Sequence, residues 1–363
     1  MLFTYSPLSL SENWLNSTII DLLSGGMQSI LDGADVPNWP NDIPAGYRAK
    51  LRSRHGIKKR LITFWEKYAD LDRDTQESLL AAVEQQTSLP DILVNENECI
   101  SIQNFTAEIQ DAADKLFRFL FDEQITSLLL DSGECLRDFH YNAIYENLPA
   151  RLCPFCGLEP FRSRTSGPRH PLDHYLPISK YPFVGADFRN ITPMCDTCNT
   201  GYKGDKDILL DDTGQRKRCV NPYAGPTFKI SLLNSLPFEG GVSNGIRLPI
   251  WDIQFVNGPI EQAENWDRIF KIRERYKEHV LDMDFRDWLN HFAVWCQRSE
   301  QVGSSINDIV ASLPNYIDNV IQDGFADRAF LKVEVFRLIQ HECNHPERGE
   351  DMKNFLALLV SNI

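Results

Sequence analysis

"LCPFCG" at residues 152–157 and "MCDTCN" at residues 194–199 are the two stretches that decide the fold. Each holds two cysteines with two residues between them, and 38 residues separate Cys156 from Cys195. Paired CxxC motifs at such spacing are typical of a tetrahedral zinc site, although four unrelated buried thiols are the alternative. Because four sulfur ligands leave no open coordination position, we expect a structural zinc bound by Cys153, Cys156, Cys195 and Cys198.

The composition outside these motifs is that of an ordinary globular chain. Its 363 residues, 42% of them hydrophobic, are enough for a sizeable core and for two or three domains or one large one. We expect no membrane span, because no run approaches about 18 apolar residues, and no secretion signal at the start. Two CxxC pairs among nine cysteines indicate metal binding rather than disulfides, and therefore a reducing cytoplasm.

The segment around the cysteines differs from its flanks. Stretches such as 60–71, 75–86 and 112–131 carry apolar residues three and four positions apart, which predicts helices. Residues 149–210 are rich in Pro, Gly, Cys and Arg and need a staple to fold. We therefore predict a mainly α chain, with short strands between 218 and 262, in three parts: a helical region at 1–148, a zinc-stapled module at 149–210 and a mostly helical region at 211–363.

Charge is distributed unevenly along the chain. The net charge of -14 argues against nucleic acid as a partner, because phosphate contacts need Lys and Arg. Residues 48–60, "RAKLRSRHGIKKR", nevertheless hold seven basic residues and no acid, and Arg216 to Arg218 form a second small cluster. Such a run can be a solvated face, or it can contact DNA or an acidic partner. Composition leaves that choice open.

Asp173 and His174 are adjacent in "PLDHYLPISK", residues 171–180, between the two cysteine pairs. Side chains of adjacent residues in an extended strand point to opposite faces, so the carboxylate and the imidazole are placed for different tasks. "HPLDHYLP" and "RNITPMC" predict two short strands, and "CNTGYKGDKDILL" predicts the start of a short helix. The sequence thus predicts a β-hairpin and a short helix that are held together by the zinc site.

This arrangement resembles the HNH nucleases, whose fold is the ββα-metal finger, in the subgroup with a CxxC…CxxC zinc knuckle. The resemblance covers about residues 150–208 and rests on the four cysteines with Asp173-His174, Asn190 and Asn199 in that order. Two features depart from the usual pattern. Asparagine instead of histidine follows the last cysteine, and Lys203 comes four rather than three residues after Asn199.

The resemblance implies a task for each polar residue. His174 would be the general base that takes a proton from water, and its ordinary pKa near neutrality suits this work. Asp173 and Asn199 would hold a catalytic Mg²⁺ or Mn²⁺ beside the scissile phosphate. Asn190 would orient the His174 ring or its loop. Lys203 would offset charge on the phosphate.

Other charged residues near the motif are expected to lie at the surface. A set of basic side chains would contact the DNA backbone, namely Arg162, Arg164, Arg169 and Lys206. Asp205 and Asp207 are interpreted as solvated residues of the short helix.

The family resemblance implies a metal-dependent DNA endonuclease or nickase. Helical flanks, together with "VNPYAG" and "WDRIFKIRERY", are similar to nuclease components of bacterial anti-phage defence systems that work with an ATPase. An ATPase or another defence protein is therefore an expected partner, and an oligomer is possible because one finger makes one cut. The alternative is a zinc-stapled DNA- or protein-binding module without catalysis, which would need none of Asp173, His174, Asn190 and Asn199.

"HECNH", residues 341–345, fits the HExxH pattern of zinc peptidases. Pro346 follows at once, and the residue before a proline avoids the α region. We expect the helix to end near Asn344, which would prevent His341 and His345 from facing one metal ion. A capped helix end is the better interpretation.

Overall fold

The computed structural model describes residues 1–163, 170–243, 245–299, 302–303 and 305–362. The chain is mainly helical, with 55% helix and 7% strand, which confirms the predicted class. It divides into two compact units. The first comprises Met1, Phe3–Phe155 and Glu159–Pro226, and the second comprises Leu2, Cys156–Leu158 and Thr227–Ile363. The three-part division drawn from the sequence stays a prediction.

Helices form most of the first unit up to residue 146. They are α1 (Trp14–Leu31), α2 (Ala45–Leu51), α3 (His55–Ala69), α4 (Arg73–Thr87), α5 (Asp91–Val94), α6 (Ala107–Phe119), α7 (Ile125–Ser127) and α8 (Leu136–Glu146). Between α6 and α7 the chain continues as a π-helix, Leu120–Gln124. Short 3₁₀ turns span Pro7–Leu10, Ile102–Asn104 and Pro182–Val184.

The apolar spacing seen in the sequence places one face of α3 in the core. Ile57, Leu61, Phe64 and Tyr68 recur every three or four residues and are all buried. This helix packs against α1 and α6. Its polar side remains outside, and the basic residues of the 48–60 run lie on α2, on the turn after it and on the start of α3.

A short antiparallel hairpin follows the first cysteine pair, as predicted. Strand β1 (Leu172–His174) pairs with β2 (Ile191–Pro193), with Asp173 opposite Thr192 and His174 opposite Ile191. In β1 the flanking residues are buried and Asp173 is half-buried, which is the alternation of a strand. A π-helix, Thr197–Lys203, comes after β2, so the expected short helix is also present.

The second unit contains four short strands and the remaining helices. Strand β3 (Lys229–Ser231) pairs with β6 (Gln254–Val256), and β4 (Val242–Ser243) pairs with β5 (Ile246–Arg247). The helices are α9 (Ile260–Phe270), α10 (Ile272–Tyr276), α11 (Asp282–Arg298), α12 (Ile306–Gln322), α13 (Ala329–Cys343) and α14 (Gly349–Ser361), with a π-helix at Lys277–Leu281 and a 3₁₀ turn at Ala326–Arg328.

Helix α13 ends at Cys343, so His345 lies outside it. Glu342 is buried and its carboxylate lies 3.0 Å from the guanidinium of Arg348. The peptidase interpretation of "HECNH" therefore has no support from this helix end, as the proline after it predicts. Across the described residues, no helix has the length and apolar character needed to cross a bilayer.

Candidate functional site

Four cysteines form a compact buried cluster. Cys153, Cys156, Cys195 and Cys198 are all buried, and their sulfur atoms lie within 4.8 Å of one another. Thiolates around one tetrahedral zinc at about 2.3 Å would be about 3.8 Å apart. The four cysteines are therefore close enough to hold a metal ion such as zinc, as their spacing predicts.

Backbone amides point at the sulfurs of this cluster. The amide of Cys195 lies 3.5 Å from Sγ of Cys153, and the amide of Cys198 lies 3.4 Å from Sγ of Cys195. The amide of Leu158 lies 3.4 Å from Sγ of Cys156. Gly157 has φ +67°, a left-handed conformation that glycine adopts without strain. N–H groups directed at sulfur favour thiolates over thiols, which suits a metal site.

The Asp173 carboxylate faces a buried ammonium group. Nζ of Lys203 lies 2.9 Å from Oδ2 of Asp173, and the lysine side chain is 1% exposed. Oδ2 is itself buried but makes no hydrogen bond of regular geometry, so the two groups interact as charges in contact. Lys203 also donates to the carbonyl oxygen of Gly204 at 3.2 Å. The expected action of Lys203 on a phosphate stays a prediction.

His174 is held in one orientation by two contacts. Its Nε2 lies 2.8 Å from the carbonyl oxygen of Gly185, and the Phe121 ring centroid is 4.2 Å from that of the imidazole. A carbonyl can only accept, so Nε2 carries the proton and Nδ1 of the neutral ring keeps a lone pair. His174 therefore presents one basic nitrogen.

Burial lowers the pKa of His174 to about 4. The Gly185 carbonyl and Asp173 raise this pKa, and Lys203 and Arg118 lower it further, but desolvation is the largest cause. The near-neutral value expected from the sequence is wrong because the side chain is buried on β1. The ring is accordingly neutral at physiological pH, able to accept a proton but a weak base.

Asn190 fixes the loop that connects β1 and β2. Its Oδ1 accepts a hydrogen bond from the amide of Leu176 at 2.7 Å. Its Nδ2 donates to the carbonyl oxygens of Leu176 at 3.1 Å and Val184 at 3.2 Å. The residue after Val184 is Gly185, which holds His174. Asn190 therefore holds the loop around His174. The sequence analysis expects it to orient either the ring or this loop.

The structure describes three of the other five predicted residues. Asn199 is half-buried on the π-helix that carries Lys203, four residues before it. Arg162 forms an ion pair with Asp196 at 2.6 Å, and Lys206 is exposed just after the π-helix. Arg164 and Arg169 lie outside the described residues.

The sequence analysis did not predict the roles of three residues in this part of the structure. Phe121 and Gly185 hold the imidazole, and no local pattern marks either of them. Asp207, interpreted as a solvated helix residue, is buried, and its carboxylate accepts from the Tyr181 hydroxyl at 2.9 Å and from the Leu209 amide at 2.9 Å. That interpretation of Asp207 is wrong, since its carboxylate caps the turn that follows.

Comparison with known proteins gives one partial similarity. Over 71 residues the chain is 35% identical to Protein ea31 of Escherichia phage lambda, which covers 20% of this chain and 20% of that protein. The chain therefore spans about a fifth of the length of the curated relative it matches. No family model and no solved structure matches.

Proposed function

We propose that this chain is a metal-dependent endonuclease that hydrolyses phosphodiester bonds in DNA with an HNH-type site. The observation that carries the proposal is the arrangement of Asp173 and His174 on β1. The carboxylate faces a buried cation on the π-helix, while the imidazole is held by Gly185 with Nδ1 left as acceptor. A general base and an acidic cation ligand are the two groups that metal-assisted hydrolysis needs.

The residues around Asp173 fit a divalent cation. Oδ2 is buried and lacks a hydrogen bond of regular geometry, and a divalent cation would bind this oxygen in competition with the Lys203 ammonium 2.9 Å away. Asn199 lies on the same π-helix as Lys203, four residues before it, and would add an amide oxygen. Carboxylate and amide oxygens suit Mg²⁺ or Mn²⁺, which would supply a Lewis acid for the charge of the phosphate.

Each nearby residue then has a defined task. His174 accepts a proton from the attacking water at Nδ1, and the Gly185 carbonyl keeps the ring in the required tautomer. Asn190 is a positioning residue, because it fixes the β1–β2 loop, which contains the Gly185 carbonyl. Cys153, Cys156, Cys195 and Cys198 would hold a structural zinc that orders a segment with few long apolar runs.

The test is cleavage of supercoiled plasmid by the purified full chain with Mg²⁺ or Mn²⁺, with an EDTA control. His174→Ala should abolish the metal-dependent relaxed or linear product. His279→Ala is the matched control, because His279 is exposed in the second unit and should keep full activity. Zinc content and circular dichroism must be equal in the three proteins. Equal cleavage by wild type and His174→Ala would refute the proposal.

A binding module without catalysis is the second candidate. The observation in its favour is the Lys203–Asp173 pair, which gives both residues a structural purpose without a divalent ion. If the folded, zinc-loaded wild type binds DNA but yields no product with either metal, and no product appears when a partner protein that copurifies with it is added, this candidate replaces the nuclease.

We also propose that the nuclease acts in bacterial anti-phage defence, in the cytoplasm, together with an ATPase or another defence protein. The support is the resemblance of the helical flanks to the nuclease components of such systems. Efficient plasmid cleavage by the purified chain alone would rule out restraint by a partner.

A further inference from the structure

Residues 45–60 carry seven Lys and Arg and no acid in a chain with net charge -14. Three of the seven are used inside the first unit. Arg48 donates to the carbonyls of Asn41 and Ile43, Arg54 donates to Ser127 at 3.0 Å, and Arg60 lies over the Phe119 ring. These arginines fix the segment in place.

The other four cations of this segment make fewer contacts with the protein. Lys50 lies 3.5 Å from the exposed carboxylate of Asp131. In the part of the chain that the structure describes, Arg52, Lys58 and Lys59 make no ion pair and no side-chain hydrogen bond; Arg52 and Lys59 are exposed and Lys58 is half-buried. We call Arg52, Lys58 and Lys59 the basic patch.

The basic patch has no acidic partner on the start of α3. Lys58 lies in the first turn of this helix and Lys59 follows it, and that turn has no acidic residue and no side-chain cap at Arg54. Positive charge near the amino end of a helix opposes the macrodipole. These cations are therefore available to an external anion such as phosphate.

The start of α3, next to the basic patch, contacts the helical segment that reaches His174 within the same unit. A Cβ on Gly56 would come 2.5 Å from the Phe119 ring, so the first turn of α3 touches the end of α6. Phe121, two residues further, contacts His174. Farther along α3, Phe64 packs edge-on against Phe183, ring centroids 6.2 Å apart, in the loop that holds the imidazole.

We propose that the basic patch is a docking surface for the phosphate backbone of double-stranded DNA bound at the Asp173–His174 site. This inference rests on the proposed nuclease function and adds its substrate contacts. The segment of Phe119 and Phe121 lies between the start of α3 and His174, and a helix is about 10–12 Å thick, which corresponds to about three base pairs of duplex. One duplex can therefore contact both.

Two acids lie beside the proposed docking surface. Asp122 and Glu123 are exposed on the π-helix that carries Phe121 and repel phosphate. Their removal should therefore strengthen the binding of a duplex that passes near this turn.

The test is fluorescence anisotropy of a 30-base-pair duplex with the full, zinc-loaded chain, without added Mg²⁺ or Mn²⁺ and on a His174→Ala background, so that binding is measured without cleavage. Arg52→Ala with Lys59→Ala removes two phosphate contacts. The slope of log K against log salt should fall by about 1.8, and affinity should fall roughly 30-fold at about 0.15 M salt. Asp122→Asn with Glu123→Gln should tighten binding.

The matched control is Arg286→Ala with Arg298→Ala, two exposed arginines of α11 in the second unit, which should leave the slope unchanged. An unchanged slope in the patch variant, or an equal loss in the control, overturns the proposal. Equal competition by poly-glutamate would also overturn it and identify an acidic protein as the occupant, and preference for single-stranded RNA would exclude duplex DNA. Binding by the patch without plasmid cleavage by wild type would separate this inference from the nuclease proposal.

Discussion

Replacing Asn190 with alanine should open the loop between β1 and β2 without unfolding the chain. The side chain is 1% exposed and makes three hydrogen bonds, of 2.7, 3.1 and 3.2 Å, to Leu176 and Val184. Alanine deletes all three and leaves the Leu176 amide and two carbonyls with fewer partners in a buried place. At about 1 kcal/mol for each net hydrogen bond, the loop should lose about 3 kcal/mol of local stability.

Hydrogen exchange followed by mass spectrometry measures this loss directly. Because 1.4 kcal/mol is tenfold in an equilibrium, the Leu176 amide should lose about 100-fold in protection. Asn16 is the matched control: it is buried on α1, donates to Phe183 at 3.1 Å and accepts from the Ala186 amide at 3.2 Å. Asn16→Ala should expose the Ala186 amide and spare that of Leu176. Unchanged exchange at Leu176 in Asn190→Ala would refute the positioning role.

Three further predictions address the metals and the imidazole. The purified chain should contain about one zinc by mass spectrometry, and Cys195→Ser should lose it and melt at lower temperature; a folded wild type without metal would contradict this. The pKa of His174 is about 4 in the folded chain and about 6.5 in the unfolded chain. As the pH falls, the unfolded chain therefore takes up this proton before the folded chain does. Stability should be complete above about pH 6.5 and fall toward pH 4 by at most about 3 kcal/mol, and denaturant titrations of His174→Gln should lack this fall. Lys203→Met should raise the Mn²⁺ affinity seen by calorimetry, since no ammonium then competes for Asp173; a weaker affinity would show that the lysine supports the cation site.

The parts of the site that local spacing determines could be predicted from sequence. Two CxxC turns need only their own residues to aim thiolates at one point, and the four sulfurs do meet. The alternation around Asp173 predicts a strand, and β1 with its partner β2 is present. Both features depend on contacts within a few residues or across one hairpin.

The parts that depend on distant packing could not be predicted. From the sequence, Lys203 is expected at the surface, close to a bound phosphate. In the structure it is buried and forms an ion pair with Asp173 of β1. The pKa of His174 follows from burial beneath Phe121, which lies more than fifty residues earlier on a π-helix. No period or motif in the sequence connects these residues.

The contacts of the β1–β2 loop cross the boundary predicted at residue 148. The Phe183 ring packs edge-on against Phe117 of α6, ring centroids 5.6 Å apart, and Phe64 of α3 lies against the same ring. The amide of Ile102 donates to the Lys180 carbonyl at 2.9 Å. Since Phe183 is two residues before Gly185, whose carbonyl sets the tautomer of His174, helices α3 and α6 act on the proton-accepting nitrogen through the loop. The cysteine cluster joins the two CxxC turns, but the geometry of the imidazole depends on helices outside residues 149–210.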